Sequence, residues 1–146
     1  MPKRADDDSM QRIPQVCVIP YRVVNDAWEF CLITSLKKKR WIFPKGIVDP
    51  GETPPESGLK EAWEEAGLRG EIVGPVIGRL SDEKWGAKLE LDVLIMRVDE
   101  VATDWPEATL RERCWLNGRD AMERLHRQDV QQVFQAARQW LFHGSC

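Results

Sequence analysis

The chain has 146 residues, enough for one domain with a buried hydrophobic core. Its 42% hydrophobic and 31% charged content is that of a globular protein rather than a disordered or membrane-spanning one. A net charge of -3 gives no general attraction to nucleic acid or membranes.

The first residues, MPKRADDDSM, are charged and lead into no apolar stretch of signal-sequence type. Residues 1–14 are expected to be a flexible tail, 15–142 a single domain, and 143–146 a short C-terminal tail. QVCVIPYRVV (15–24) is rich in β-branched residues and reads as a strand. NDA is its turn, and WEFCLITS (28–35) its hairpin partner. Four consecutive cations follow, Lys37 to Arg40, and then FPKG breaks the pattern. Residues 46–55 carry the Pro, Gly and Asp of a structured loop.

A helix is expected from Pro54 to Ala66. Thr53 is its cap, Glu56 completes a capping box, and Gly67 stops it. Leu59, Ala62 and Trp63 recur at helical spacing as its apolar stripe. Strands follow at 71–80, 87–98 and 113–116, with a loop at 99–112. Helices are expected at 118–125 and 129–142. The second carries Val130, Val133, Phe134, Ala137, Trp140 and Leu141 on one face. The pattern is that of an α+β domain with a mixed sheet and few helices. No window reaches the length of a transmembrane helix.

Cys17 and Cys31 lie in apolar runs and read as buried free thiols, which suits a reducing, cytoplasmic setting. No C-x-x-C pair occurs, and His126 and His143 lie far from the cysteines, so the pattern is not that of a zinc site. Trp41 and Phe43 alternate as core residues do, while Trp85, in DEKWGAK, reads as an exposed aromatic.

The densest signal is GIVDPGETPPESGLKEAWEEAGL, residues 46–68. Glu61, Glu64 and Glu65 share one helical face near the negative end of the helix dipole. Taken alone, such a string is an ordinary solvated face. Here it follows Gly46, whose backbone can approach a ligand closely, and Glu52. It also stands beside Lys37 to Arg40 and Lys45. Clustered carboxylates suit Mg2+ or Mn2+, and an acidic metal site next to cations suits a phosphate ester or anhydride.

The segment resembles the signature of the Nudix hydrolase family, G-x5-E-x7-R-E-U-x-E-E-x-G-U, with U a bulky aliphatic residue. Gly46, Glu52, Glu61, Glu64, Glu65, Gly67 and Leu68 match in register. Lys60 stands for the Arg, and the small Ala62 for the first aliphatic residue. Lysine keeps the charge and loses the planar fork. The resemblance implies an α/β/α sandwich and metal-dependent hydrolysis of a diphosphate linkage. It further implies Glu61, Glu65 and the Gly46 carbonyl as ligands of Mg2+ or Mn2+. Glu64 would be the base or a further ligand, and Glu52 with Lys60 a supporting pair.

The flanks KRWIFPKG and DWPEATLRERCWLNGRDA resemble the diphosphoinositol polyphosphate and diadenosine polyphosphate phosphohydrolase branch. That likeness implies a phosphorylated small-molecule substrate and a cationic pocket of Arg22, Lys38, Arg40, Lys45, Lys88, Arg111 and Arg113. Two alternatives stand beside it: removal of pyrophosphate from an RNA 5' end, and a non-catalytic Nudix-fold sensor of nucleotides.

Overall fold

The computed structural model describes residues 10–144. Strand β1 (Arg12–Val24) turns at Asn25 and Asp26 into antiparallel β2 (Ala27–Thr34). Both turn residues have positive φ, 51° and 65°, which matches the twist of a two-residue hairpin. The two strands pair only near this turn, from Tyr21↔Phe30 to Val24↔Ala27. Beyond it they splay. Short strands β3 (Trp41–Ile42) and β4 (Lys45–Ile47) fill the gap, β3 pairing with β2 and β4 with β1.

Helix α1 (Pro54–Ala66) comes next, followed by the long hairpin of β5 (Leu68–Lys84) and β6 (Ala87–Val101). β6 lies parallel to β1, so the seven-stranded sheet is mixed. β7 (Arg113–Asn117) adds to the outer side of β2. Helices α2 (Gly118–Arg124) and α3 (Gln128–Gly144) end the described chain.

The sheet separates two cores. On one face Val16, Val18, Cys31, Ile33, Leu94 and Met96 pack with Ala62 and Ala66 of α1. On the other, Ile19, Leu32, Leu91 and Ile95 pack with Phe134, Ala137 and Leu141 of α3. Phe134 meets Phe30 edge-on at 4.8 Å between ring centres, a favoured aromatic geometry. This is the expected α/β/α sandwich, and the helical face foreseen in α3 is the one that it buries.

Several boundaries differ from the expected ones. Arg12 to Pro14 belong to β1, because Arg12, Ile13 and Pro14 pair with Lys88, Leu89 and Glu90 of β6. His143 and Gly144 belong to α3. The remaining expected tail residues, 1–9 and 145–146, lie outside the described residues. β4 was not foreseen, since three residues ending in Gly-Ile carry no alternation to detect. β5 runs beyond 71–80 in both directions, with a register shift between Val73 and Gly78. A hydrogen-bonded partner strand holds residues such as Ser81 to Lys84, whose polarity gives no strand signal.

Candidate active site

Helix α1 sits as its sequence dictates. Thr53 accepts from the Glu56 N–H, Glu56 accepts from the Thr53 N–H, and Gly67 closes the helix at φ 69°. The face turned to the sheet is Ser57, Gly58, Ala62, Glu65 and Ala66. A Cβ on Gly58 would lie 2.9 Å from a Val18 methyl, so the helix packs closely on β1. The expected stripe is therefore rotated: Ala62 is buried, Leu59 and Trp63 only half so. Trp63 stacks instead with Arg69, 3.9 Å from its ring centre. The small residues at 58 and 62 are what allow the close approach.

That rotation puts Glu65 at 8% exposure among buried groups. Glu65 Oε1 accepts from the Lys45 N–H at 3.0 Å, and Oε2 from Arg111 Nη2 at 2.9 Å. Burial nevertheless pushes its carboxyl up to about 7, against the lowering pull of Arg111 and the Lys45 N–H. Glu61, half-buried one turn earlier, is also pushed up to about 7, first by burial and then by Glu65 and Glu64. Gly46 faces Glu61 so closely that a Cβ there would overlap the Glu61 carboxylate. Glu64 is half-buried, and its carbonyl accepts from the Glu107 N–H at 3.1 Å.

The loop before α1 is tied to it by a polar knot. Lys60 donates to both Glu52 oxygens, at 3.1 and 3.2 Å, and pairs with Asp49. Ser57 Oγ donates to Glu52 at 2.6 Å. These contacts hold the Glu52 carboxyl below its ordinary range and the Lys60 ammonium above its own. Lysine fills the place of the signature's arginine by bridging two separate carboxylates.

A cavity of about 630 Å3 opens where β1 and β2 splay, and Lys45, Glu65 and Arg111 are among the residues at its border. Its rim carries Lys37, Lys38, Arg40, Lys84 and Arg127, and its floor Phe43, Leu80, Leu91 and Leu125. The cationic turn is pinned by Ser35, whose N–H bonds the Arg40 carbonyl and whose Oγ accepts from the Arg40 N–H. Lys39, at φ 55°, points elsewhere and donates to the Leu110 carbonyl.

Of the expected pocket cations, Lys38, Arg40, Lys45 and Arg111 line this cavity, and Arg22, Lys88 and Arg113 do not. Arg22 pairs with Glu29 and stacks on Trp115. Arg113 donates to the Ala66 carbonyl at 2.7 Å, which caps the end of α1, and stacks on Trp105. Lys88 lies on β6 opposite Glu83 and Arg12. In a strand, side chains alternate faces, so nearness in sequence does not give a shared pocket. Lys84, His126, Arg127 and the pairing carboxylates Asp49 and Glu107 were not singled out. Asp49, Lys84 and Glu107 lie in segments read for other residues, and His126 and Arg127 gave no local signal. Trp41 and Phe43 belong to the core side, and Trp85 is 69% exposed, as expected.

The expected donors, Glu61, Glu65 and the Gly46 carbonyl, are all oxygen, and Glu64 and Glu107 lie near them. Hard oxygen donors and crowded, partly desolvated carboxylates fit a divalent cation. Among the described residues no three His, Cys, Asp or Glu side chains converge as a ready cage, and Glu65 is engaged by Arg111 and Lys45.

A family model described as the NUDIX domain matches residues 13–137. The chain belongs to the Nudix hydrolase family. Nudix hydrolase 13 of Arabidopsis thaliana, named mitochondrial, is 30% identical over 138 residues, covering 80% of this chain and 68% of that protein. Diphosphoinositol polyphosphate phosphohydrolase 3-beta of Bos taurus is 31% identical over 98 residues, 65% of this chain and 58% of that protein. The match thus spans a little over half of that relative. Among solved structures, an Ap4A hydrolase of C. elegans superposes with TM-score 0.74 at 20% identity, over 90% of this chain and 99% of that one. The NUDIX domain of Shewanella oneidensis NrtR, complexed with ADP ribose, gives 0.73 at 13%, over 92% of each chain. At such identities these two likenesses establish the Nudix fold.

Proposed function

We propose that this Nudix protein is a pyrophosphohydrolase, dependent on Mg2+ or Mn2+, that cleaves a diphosphate linkage in a small molecule carrying several phosphates. The observation that carries this reading is the shared border: Glu65 belongs both to the acidic face of α1 and to a cavity rimmed by lysines and arginines. Carboxylates for an ion and cations for phosphate oxygens stand side by side. The apolar floor of Phe43, Leu80, Leu91 and Leu125 suits a flat base, which favours a dinucleoside polyphosphate over a diphosphoinositol polyphosphate.

Glu61, Glu65 and the Gly46 carbonyl would hold the cation. When bound, it acidifies water and offsets charge on the diphosphate. Glu64 accepts the proton of the attacking water. The water oxygen bonds to phosphorus, the bridging P–O bond breaks, and the leaving phosphate takes the electron pair. Lys38, Arg40 and Lys45 neutralise the phosphate oxygens as that charge develops. The knot of Asp49, Glu52, Ser57 and Lys60 keeps the loop after Gly46 in register with α1. Among the described residues no helix is long and apolar enough to cross a membrane. Free, buried Cys17 and Cys31 support a reducing compartment such as the cytoplasm.

The test is phosphate release with Mg2+ across diadenosine polyphosphates, diphosphoinositol polyphosphates and 5'-triphosphorylated RNA, for the intact protein and Glu64→Gln. Release from the first class by the intact protein, and its loss in the variant, supports the reading. Preference for the RNA, or binding without release, replaces it with the RNA-end or sensor reading.

A further inference from the structure

Arg111 stands where the acidic cluster meets the cavity. Its side chain is 6% exposed, yet it lines the cavity wall. Nε donates to Glu107 Oε1 at 2.6 Å, Nη1 to the Thr34 carbonyl at 3.0 Å, and Nη2 to Glu65 Oε2 at 2.9 Å. The Lys45 N–H holds the other Glu65 oxygen. Each Glu65 oxygen keeps a second lone pair, but a guanidinium and a divalent ion repel each other at one oxygen, so Arg111 and a cation compete for Glu65 Oε2. A buried carboxylate left without any positive partner is costly. The guanidinium therefore does in this structure what an ion would do: it compensates Glu65 and Glu107.

We propose that Arg111 is a tethered placeholder for the metal, holding Glu65 in the metal-free protein and turning into the cavity when a divalent cation takes Glu65 over. This rests on the metal-dependent reading of the site. The turn has a direction because Arg111 already borders the cavity. It also has a condition. The cavity holds Lys45, Arg40 and Lys38, so the released guanidinium is stable there only opposite an anion. Arg111 thus makes metal and diphosphate binding favour each other. It is a positioning residue in the metal-free state and a phosphate contact in the loaded one.

The test is calorimetric titration of the full chain with Mn2+ alone, for the wild type and Arg111→Gln. Methylenediphosphonate is then titrated into the Mn2+-saturated proteins. The expected result has opposite signs: Arg111→Gln binds Mn2+ several-fold more tightly and the diphosphonate several-fold more weakly. A residue that merely braces the site would weaken both when removed. Unchanged or weaker Mn2+ binding in the variant overturns the placeholder. If neither protein binds Mn2+, the metal-dependent reading falls and the placeholder with it, which is a different outcome from a variant that binds less well. Should Arg111→Gln not fold, Arg111→Lys serves, since one ammonium cannot reach Glu65, Glu107 and the Thr34 carbonyl together. It too must bind Mn2+ more tightly than the wild type for the proposal to stand.

Discussion

Gly46 of β4 and Glu61 of α1 are in such close contact that no side chain fits between them. They come from opposite ends of a loop, and the knot around Lys60 keeps them together. The Gly46 backbone and the Glu61 carboxylate thereby lie against each other, the arrangement that the proposed oxygen ligation of one ion needs.

Gly46→Ala is expected to keep the fold, because position 46 has no positive φ that only glycine tolerates. It displaces the Glu61 carboxylate. Activity should fall by about a hundredfold, the scale on which misplaced catalytic groups lose rate. Unchanged circular dichroism with unchanged kcat would contradict the contact.

The pair of Lys60 with Glu52 orients the loop rather than the chemistry. Lys60→Ala should lower kcat by about tenfold through lost positioning. Lys60→Arg keeps a cation within reach of both Asp49 and Glu52 and should stay close to the wild-type rate. Steady-state kinetics on the same substrate decide this. A large gain on restoring arginine would mean that lysine holds Glu52 poorly, against the geometry seen here.

In metal-free protein, Glu61 and Glu65 both titrate near 7, above their unfolded value of 4.5. Between those values the folded chain holds protons that the unfolded chain has released. Their contribution to stability is complete below about 4.5 and is lost as pH rises through about 7. Thermal unfolding in a chelator should therefore show Tm declining across that window. Saturating Mg2+ should flatten the decline, because the cation stabilises the ionised carboxylates. A Tm that rises over the same window without metal would contradict the raised values.

Substrate cations should separate by location. Lys38→Ala and Arg40→Ala remove a charged contact from the cavity rim and should raise KM by about tenfold. Arg22→Ala and Lys88→Ala should leave KM unchanged, since neither residue lines the cavity. Arg113→Ala should lower Tm, because it removes the cap on the Ala66 carbonyl. Equal KM effects across Arg40, Arg22 and Lys88 would mean that the substrate lies elsewhere.

What the chain determines locally was legible without coordinates. The capping box at Thr53, the stop at Gly67 and the face of α3 depend on interactions a few residues apart, and a helical period reports them. The Gly46, Glu52 and Glu61 to Glu65 spacing marked the family for the same reason, since one short stretch running from β4 through a loop into α1 carries it. Only the tertiary structure decided the rest. It rotated α1 so that Glu65 is buried, wedged β3 and β4 between splayed strands, and brought Lys37, Lys84 and Arg127 to one cavity. It also sent Arg22 and Arg113 to stack on tryptophans and set Arg111 against Glu65. Those choices follow from strand order, register and close packing across the sheet, which join residues tens of positions apart and leave no periodic mark in the sequence.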